Sequence, residues 1–161
     1  MSATTTPAAR IGDTAWYLTT ILHTTGSCDH CGRALKHLYE VVNPDGKEMT
    51  VGRGCVKKIT GWTLSYAQAQ QALRSAARMA EIARRRKIVG DEYPELAAAE
   101  QEVQTACGQA RAEGFDPLSG YHRVPAERRS MGAMFNQAVL SDNLWFREGA
   151  WREYLQETAR W

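Results

Sequence analysis

Residues 28–61 read CDHCGRALKHLYEVVNPDGKEMTVGRGCVKKITG, and this stretch decides how the first part of the chain folds. Cys28 and Cys31 form a Cys-x-x-Cys pair that is followed directly by Gly32. Such a pair directs two thiolates toward one metal ion, and the glycine lets the backbone turn back beneath them. The spacing therefore predicts the first half of a metal site.

A β-hairpin is predicted between this pair and the third cysteine. Residues 38–42 have strand composition, residues 43–46 read Asn-Pro-Asp-Gly, which is a turn sequence, and residues 48–51 can return antiparallel. The return brings Cys55 beside the Cys-x-x-Cys pair. Three cysteines then converge, and a tetrahedral structural zinc site needs one further ligand.

The fourth ligand is predicted to be a histidine at the start of the first hairpin strand. The predicted structural zinc site thus has four ligands: Cys28, Cys31, His37 and Cys55. Three other side chains remain alternatives for the fourth position: His30, His23 and Cys107. A reading without metal makes the three cysteines a buried pair and a separate thiol.

The segments CDHCGRAL, VGRGC and KKITG resemble a short zinc-ribbon-like module. That module has a CxxCG pair and a VGxxC return, and it occurs in many uncharacterised bacterial, plasmid and phage proteins. The resemblance covers residues 28–61 only. It implies metal binding with a structural role, and it implies no defined reaction.

Length and composition favour a soluble globular protein. A chain of 161 residues with 43% hydrophobic content can bury about 70% of its unfolded surface. No apolar run approaches the length of a membrane span, and the first residues contain no hydrophobic segment typical of a signal peptide. We therefore expect a cytoplasmic protein with no membrane partner, where four cysteines are better explained by metal than by disulfides.

The sequence predicts an α+β fold, with a small zinc-stabilised antiparallel β module at the N-terminal end and an α-helical bundle after it. The predicted parts are a disordered leader at residues 1–10, the β module at 11–61 with a strand at 14–22, and the bundle at 62–161, packed on the module.

Helix signals divide the second part of the chain into four segments. Ser65 and Gln68 predict a capping box that opens a long helix, and this helix is expected to finish in Arg84-Arg85-Arg86-Lys87, before a break at residues 90–94. Pro94 begins a second helix that Gly114 ends, and residues 115–125 are an irregular connection. A third helix starts at Pro125, and a fourth, capped by Ser141, runs from residue 142 toward residue 160.

Opposite charges on the first two of these helices suggest two uses for the basic side chains. Residues 62–90 carry a net charge of +5, and residues 91–113 carry −5, so an antiparallel helix pair could neutralise much of this charge internally. Alternatively, the basic side chains contact nucleic-acid phosphates. The candidates are Arg53, Lys57, Lys58, Arg74, Arg78, Arg84, Arg85, Arg86 and Lys87.

Three functional hypotheses follow. The first is a non-enzymatic, zinc-containing protein that associates with DNA or RNA. The second is a protein-interaction or inhibitor module that uses the aromatic residues of the C-terminal helices. The third is an unrecognised enzyme with a pocket between module and bundle, although the chain contains no GxxxxGK[ST], GxGxxG, GxSxG or HExxH motif.

Overall fold

The computed structural model describes residues 8–10, 15–63 and 65–158. The strands in these residues are β1 (Ala9–Arg10), β2 (Tyr17–Leu22), β3 (Gly26–Ser27), β4 (Ala34–Leu35), β5 (Leu38–Val42) and β6 (Glu48–Val51). The helices are α1 (Arg53–Thr60), α2 (Tyr66–Glu92), α3 (Pro94–Ala112), α4 (Pro117–Arg123), α5 (Ala126–Leu140), α6 (Asn143–Arg147) and α7 (Ala150–Thr158). The predicted mixture of antiparallel strands followed by helices is confirmed. None of these described helices is both long and apolar enough to span a membrane.

The chain forms two compact units that divide within α2. We call them the N-terminal unit, Met1–Glu81, and the C-terminal unit, Ile82–Trp161. The six described strands belong to the N-terminal unit, together with α1 and the first part of α2.

The main sheet of the N-terminal unit has the strand order β1-β2-β5-β6, and every pair is antiparallel. The predicted hairpin is confirmed at residues 38–42 and 48–51. Its turn contains Gly46 with φ 80°, a conformation that glycine adopts without steric cost. Asn43 closes the turn because its side-chain oxygen accepts a hydrogen bond of 2.8 Å from the N–H of Lys47.

The first strand contains two residues of the predicted leader. Ala9 pairs with Leu18, and Arg10 pairs with Tyr17. Residues 1–7 of the leader and residues 11–14, which include the start of the predicted strand 14–22, lie outside the described residues.

One face of the main sheet forms the core of the N-terminal unit. Leu18, Val41 and Val51 are buried on this face, because side chains along a strand alternate between the two faces. Trp62 and Ala69 are buried in the same core. The first turns of α2 are therefore held against the sheet by apolar contacts.

The predicted capping box at the start of α2 is confirmed. The hydroxyl of Ser65 accepts a hydrogen bond from the N–H of Gln68 at 3.3 Å, and the Gln68 side chain accepts one from the N–H of Ser65 at 2.8 Å. The predicted end at residues 84–87, ahead of a break at residues 90–94, is wrong, since α2 continues to Glu92. A glycine inside a helix costs only about 1 kcal/mol, and the adjacent Val89 is fully buried.

The core of the C-terminal unit is built from α2, α3, α5, α6 and α7. Its fully or nearly buried members include Val89, Leu96, Ala99, Phe135, Val139, Trp151 and Leu155. Glycines allow the helices to approach closely: a Cβ at Gly132 of α5 would lie 3.1 Å from the Cα of Glu100 in α3. Gly120 of α4 packs even more closely on the carbonyl group of Ala106.

The irregular connection predicted at residues 115–125 is wrong, because it contains α4. The side chain of Asp116 accepts a hydrogen bond of 2.9 Å from the N–H of Leu118, and Pro117 occupies the first helical position. These two residues are a helix start signal, and the short length of the helix between Gly114 and Pro125 hides it in the sequence.

The single fourth helix is also wrong, because Gly149 with φ 78° separates α6 from α7. The cap is Asp142 and not Ser141, since the Asp142 side chain accepts from the N–H of Trp145 at 2.9 Å. Phe146 of α6 stacks on Trp151 of α7, with ring centroids 5.4 Å apart. The predicted end near residue 160 lies outside the described residues.

Candidate metal centre

A tight turn between β3 and β4 presents the first two cysteines. The N–H of Gly32 donates to the carbonyl oxygen of Cys28 at 2.8 Å, and the N–H of Cys28 donates to the carbonyl oxygen of Arg33 at 3.0 Å. Gly32 has φ 70°, a left-handed conformation that glycine adopts without steric cost. The Cys-x-x-Cys segment is therefore a closed loop with Cys28 inside and Cys31 at the surface.

Cys55 arrives from the first turn of α1. Its N–H donates to the carbonyl oxygen of Gly52 at 2.9 Å, and the N–H of Gly52 points at the sulfur of Cys28 at 3.4 Å. Gly52 also has no room for a side chain, because a Cβ there would collide with the side chain of Leu35. The Gly-x-x-Cys segment is thus held against the Cys-x-x-Cys loop by its backbone.

Two further hydrogen bonds fix the loop to the hairpin. The N–H of Asp29 donates to the carbonyl oxygen of Thr50 at 2.9 Å, and the Asp29 carboxylate accepts from the N–H of Thr50 at 2.6 Å. Because Thr50 belongs to β6, which leads directly into α1, these bonds set the distance between the first two cysteines and the third.

The three cysteines form a group that can hold a metal ion. The sulfur atoms of Cys28, Cys31 and Cys55 all lie within 4.8 Å of one another. Ligand sulfurs about 2.3 Å from a tetrahedral ion are about 3.8 Å apart, so binding requires only small side-chain movements. Cys28 is buried, Cys55 is partly buried and Cys31 is exposed, which leaves a path from solvent to the group.

The thiols differ in acidity. Burial raises the pKa of Cys28, but hydrogen bonds from backbone N–H groups, chiefly that of Gly52, outweigh it and bring the pKa to about 7. A hydrogen bond between the thiol of Cys55 and Cys31, together with burial and the nearby Cys28, raises the pKa of Cys55 to about 11. Cys28 therefore loses its proton more readily than Cys55, as expected for close thiols whose negative charges a divalent cation would neutralise.

The described residues place no histidine in this group. His37 is exposed, and its ring lies 5.4 Å from that of His23 and 6.1 Å from that of Tyr66 between centroids. His30 is exposed within the Cys-x-x-Cys loop, and Cys107 is a partly buried residue of α3. The role of His37 as fourth ligand stays a prediction. For His37 to bind an ion on the cysteines, its ring would have to leave its contacts with His23 and Tyr66.

A second polar cluster lies in the same unit and was missed in the sequence. His23 Nε2 is 3.0 Å from the hydroxyl of Tyr66, and that hydroxyl accepts a hydrogen bond from the side-chain amide of Gln70. In the sequence, His23 and His37 stand out only as competing ligands of the cysteine site. The sequence does not show that β2 pairs with β5, and this pairing is what brings the two histidines together.

The candidate phosphate-binding residues fall into two sets. Five of them are exposed in the N-terminal unit: Arg53, Lys57, Lys58, Arg74 and Arg78. Arg53 and Lys57 also line a shallow cavity of about 330 Å³ with Gly54, Trp62 and Thr63. Arg53, Lys57 and Lys58 lie on α1 with Cys55, so a metal that orders the start of α1 would also position these three side chains.

The second set, from Arg84 to Lys87, is largely engaged within the C-terminal unit. Arg85 is buried and donates to the carbonyl oxygen of Ser141 at 2.8 Å and to the side chain of Asn143. Its guanidinium lies 4.6 Å from the centroid of the Phe146 ring. The predicted phosphate-binding role of Arg85 would need this buried side chain to leave the protein interior.

The neighbouring two cations are paired with acids. Arg86 forms an ion pair of 3.0 Å with Glu100, a carboxylate that is only 4% exposed. Lys87 pairs with Asp91 at 2.8 Å, and both of these side chains are well exposed. The Arg86–Glu100 pair is thus one instance in which a basic side chain of α2 is neutralised by an acid of α3.

Comparisons with protein-family models, with curated proteins and with solved structures find no match for this chain. The resemblance of residues 28–61 to a zinc-ribbon-like module accordingly stays a prediction. The geometry of the three cysteines is what carries the functional argument.

Proposed function

We propose that Cys28, Cys31 and Cys55 bind a structural zinc ion that stabilises the N-terminal unit. The observation that carries this proposal is the convergence of three sulfurs within 4.8 Å from two separate backbone segments. Without an ion, the three neighbouring sulfurs would place like charges close together or leave thiols with poor hydrogen bonds. Thiolate ligands favour soft and borderline ions, and zinc is the usual ion in structural cysteine sites.

The ion would act as a cross-link in a small core. It would join the Cys-x-x-Cys loop to the start of α1. Cys28 and Gly52, which are in contact where these two segments meet, are 24 residues apart in sequence. The N–H of Gly52 would remain a donor to the Cys28 sulfur and so support the ligand from outside the coordination sphere. Three protein ligands leave one tetrahedral position, which is filled by solvent or by a side chain that moves on binding.

Cobalt substitution tests the ligand set. The protein loaded with one Co²⁺ per chain should show intense sulfur-to-cobalt charge-transfer absorption, and the substitution Cys55→Ser should lower this absorption by about a third of its intensity or abolish binding. Cys107→Ser is the matched control and should leave the spectrum unchanged. Equal effects of Cys55→Ser and Cys107→Ser would contradict the proposed ligands.

We further propose that the N-terminal unit binds nucleic-acid phosphates, so that the chain is a non-enzymatic, nucleic-acid-associated zinc protein. Residues 1–81 carry nine basic and six acidic side chains, whereas residues 82–161 carry eleven basic and twelve acidic ones. The excess positive charge thus lies in the unit that also contains the cysteine group. Exposed arginine and lysine side chains of this kind contact phosphates without reading bases.

Salt dependence of binding tests this second proposal. If Arg53, Lys57, Lys58, Arg74 and Arg78 each contact a phosphate, the logarithm of the affinity for short duplex DNA should fall with the logarithm of salt concentration with a slope of about −4 to −5. Fluorescence anisotropy with labelled duplex DNA and with RNA measures this slope.

Two charge-matched triple variants identify the surface. Alanine at Arg53, Lys57 and Lys58 should reduce the magnitude of the slope by about 3. Alanine at three exposed cations of the C-terminal unit removes the same charge and should leave the slope nearly unchanged: Lys87, Arg111 and Arg147. Absence of binding at low salt would contradict the proposal.

The structure gives less support to the hypothesis of a protein-interaction module than to the two proposals above. Phe146 and Trp151 are buried in the core, so these aromatic residues are not the surface that the hypothesis needs. The described helices instead expose large aliphatic side chains, with Leu140 57% and Leu144 65% exposed. A protein partner that uses this unit should bind with little dependence on salt and should lose affinity on Leu144→Ser.

A further inference from the structure

The register of the main sheet places two histidines opposite each other. β2 and β5 pair antiparallel with Ile21 opposite Tyr39 and Leu22 opposite Leu38. The strand pairing ends there, and the same register continued by one residue would place His23 opposite His37. Residues directly opposite in an antiparallel pair have Cβ atoms about 5 Å apart and point to the same face, so the two imidazoles meet because of backbone pairing.

The face on which they meet is the one covered by α2. His23 and His37 are two residues beyond Ile21 and Tyr39, and therefore share their face. Tyr66, in the first turn of α2, lies at this end of the sheet with ring centroids 5.7 Å from His23 and 6.1 Å from His37. Both histidines are nevertheless exposed, so the cluster is open to solvent.

The distance between the rings suits two ligands of one metal ion. An imidazole bound at about 2.0 to 2.1 Å through nitrogen has its centroid about 3.2 Å from the ion, which gives centroid separations of about 4.5 Å at a right angle and about 5.2 Å at the tetrahedral angle. The observed separation is 5.4 Å, with the ring planes at 81°. This separation is close to the tetrahedral value, so both rings can reach one ion by side-chain rotation.

The hydroxyl of Tyr66 already orients one of these rings. It is 3.0 Å from Nε2 of His23 and is itself held by the amide of Gln70. Nδ1 of His23 is thereby left for an ion, and its other nitrogen keeps a hydrogen-bond partner, as is usual for histidine ligands of metals.

We propose that His23 and His37 form a second metal site, separate from the cysteine group, which binds a divalent first-row transition-metal ion such as Ni²⁺ or Cu²⁺. Tyr66 acts as the residue that positions His23. Imidazole ligands suit these ions, and two exposed histidines with solvent completing the coordination make a weaker site than the three thiolates.

Titration of the full-length, zinc-loaded protein with Ni²⁺ alone tests the proposal. Calorimetry should show one Ni²⁺ bound per chain, while a chromophoric chelator confirms that the cysteine-bound zinc is not released. His23→Gln and His37→Gln should each lower the Ni²⁺ affinity at least tenfold, and Tyr66→Phe should lower it about tenfold. His122→Gln, which replaces an exposed histidine of the C-terminal unit, should leave it unchanged.

A measurement without substitutions guards against variants that fail to fold. Paramagnetic Ni²⁺ should broaden the imidazole NMR signals of His23 and His37 before those of His30 and His122. Equal broadening of all four, or no Ni²⁺ binding at roughly millimolar concentration, would overturn the proposal. Loss of the zinc affinity of the cysteine group in His37→Gln would overturn it as well, because His37 would then belong to that group.

Discussion

The ion pair between Arg86 and Glu100 provides a quantitative test of the basic cluster's role. The Glu100 side chain is 5% exposed, the Arg86 side chain is 34% exposed, and the two are joined at 3.0 Å. Replacing Arg86 by methionine keeps much of its aliphatic contact but leaves the Glu100 carboxylate buried with only the amide of Gln104 as a described partner. Loss of one member of a buried pair costs about 3 to 5 kcal/mol, and the partial exposure of Arg86 places the expected loss near the lower value.

The adjacent position supplies the control. Lys87 forms an ion pair of similar length with Asp91, but those side chains are 76% and 68% exposed, so Lys87→Met should cost about 0.5 kcal/mol or less. The combined substitution of Arg86 and Glu100 by methionine should recover most of the lost stability, because no charge then remains buried.

Urea unfolding followed by tryptophan fluorescence measures these differences, since Trp151 lies in the core of the C-terminal unit. We expect Arg86→Met to lower the free energy of unfolding by about 3 kcal/mol, a large part of the total stability of a domain. If Arg86→Met and Lys87→Met were equally mild, the pair would not be a structural element, and Arg86 would again be a candidate for phosphate contact.

Three other predictions concern the helices and the cysteine group. Gly120→Ala should destabilise the protein by about 1 to 3 kcal/mol or more in thermal unfolding, because the added Cβ would collide with a carbonyl group of α3. Gly108→Ala is the control: its added Cβ would have no atom within 4 Å, so this substitution should be neutral or stabilising by about 1 kcal/mol. Ser65→Ala removes the hydroxyl that accepts from Gln68 and should cost about 1 kcal/mol, whereas an unchanged melting temperature would show that the cap contributes nothing. Zinc affinity should fall as the pH is lowered, and below pH 7 each pH unit should lower it by about a further factor of ten, because the Cys28 thiol, with its pKa near 7, must then also release a proton on binding. Competition with a chromophoric chelator across this range measures the affinity. A constant slope through pH 7 would contradict the prediction.

The hairpin and the cysteine group could be predicted from sequence because their signals are local. Asn-Pro-Asp-Gly restricts the turn, Gly32 accommodates a left-handed residue, and the Cys-x-x-Cys spacing has few structural uses. The same holds for the capping box at Ser65 and for Pro94 at the start of α3. Each of these features depends on residues within a few positions of one another.

The burial of Arg85 could not be predicted in this way. Helical periodicity places it among other arginines, and its partners Ser141 and Asn143 are more than fifty residues away in sequence. The pairing of His23 with His37 was missed for a related reason, since it depends on the register between β2 and β5. Long-range pairing and register are properties of the folded chain that local propensity does not encode.

The break between α6 and α7 has a signal in the sequence, Gly149, but the helical periodicity around it outweighs that signal in the prediction. Gly149 follows a region in which apolar residues recur at helical spacing, and such periodicity predicts a continuous helix. Packing of Phe146 against Trp151 instead favours a break in the helix at this glycine, which has a positive φ.

Amide hydrogen exchange with and without one equivalent of zinc tests the central claim most directly, namely that a metal on Cys28, Cys31 and Cys55 stabilises the N-terminal unit. We predict that zinc slows exchange in β5, β6 and α1 and leaves α5, in the C-terminal unit, unchanged. Zinc that fails to bind, or that binds without altering exchange in the N-terminal unit, would contradict the account.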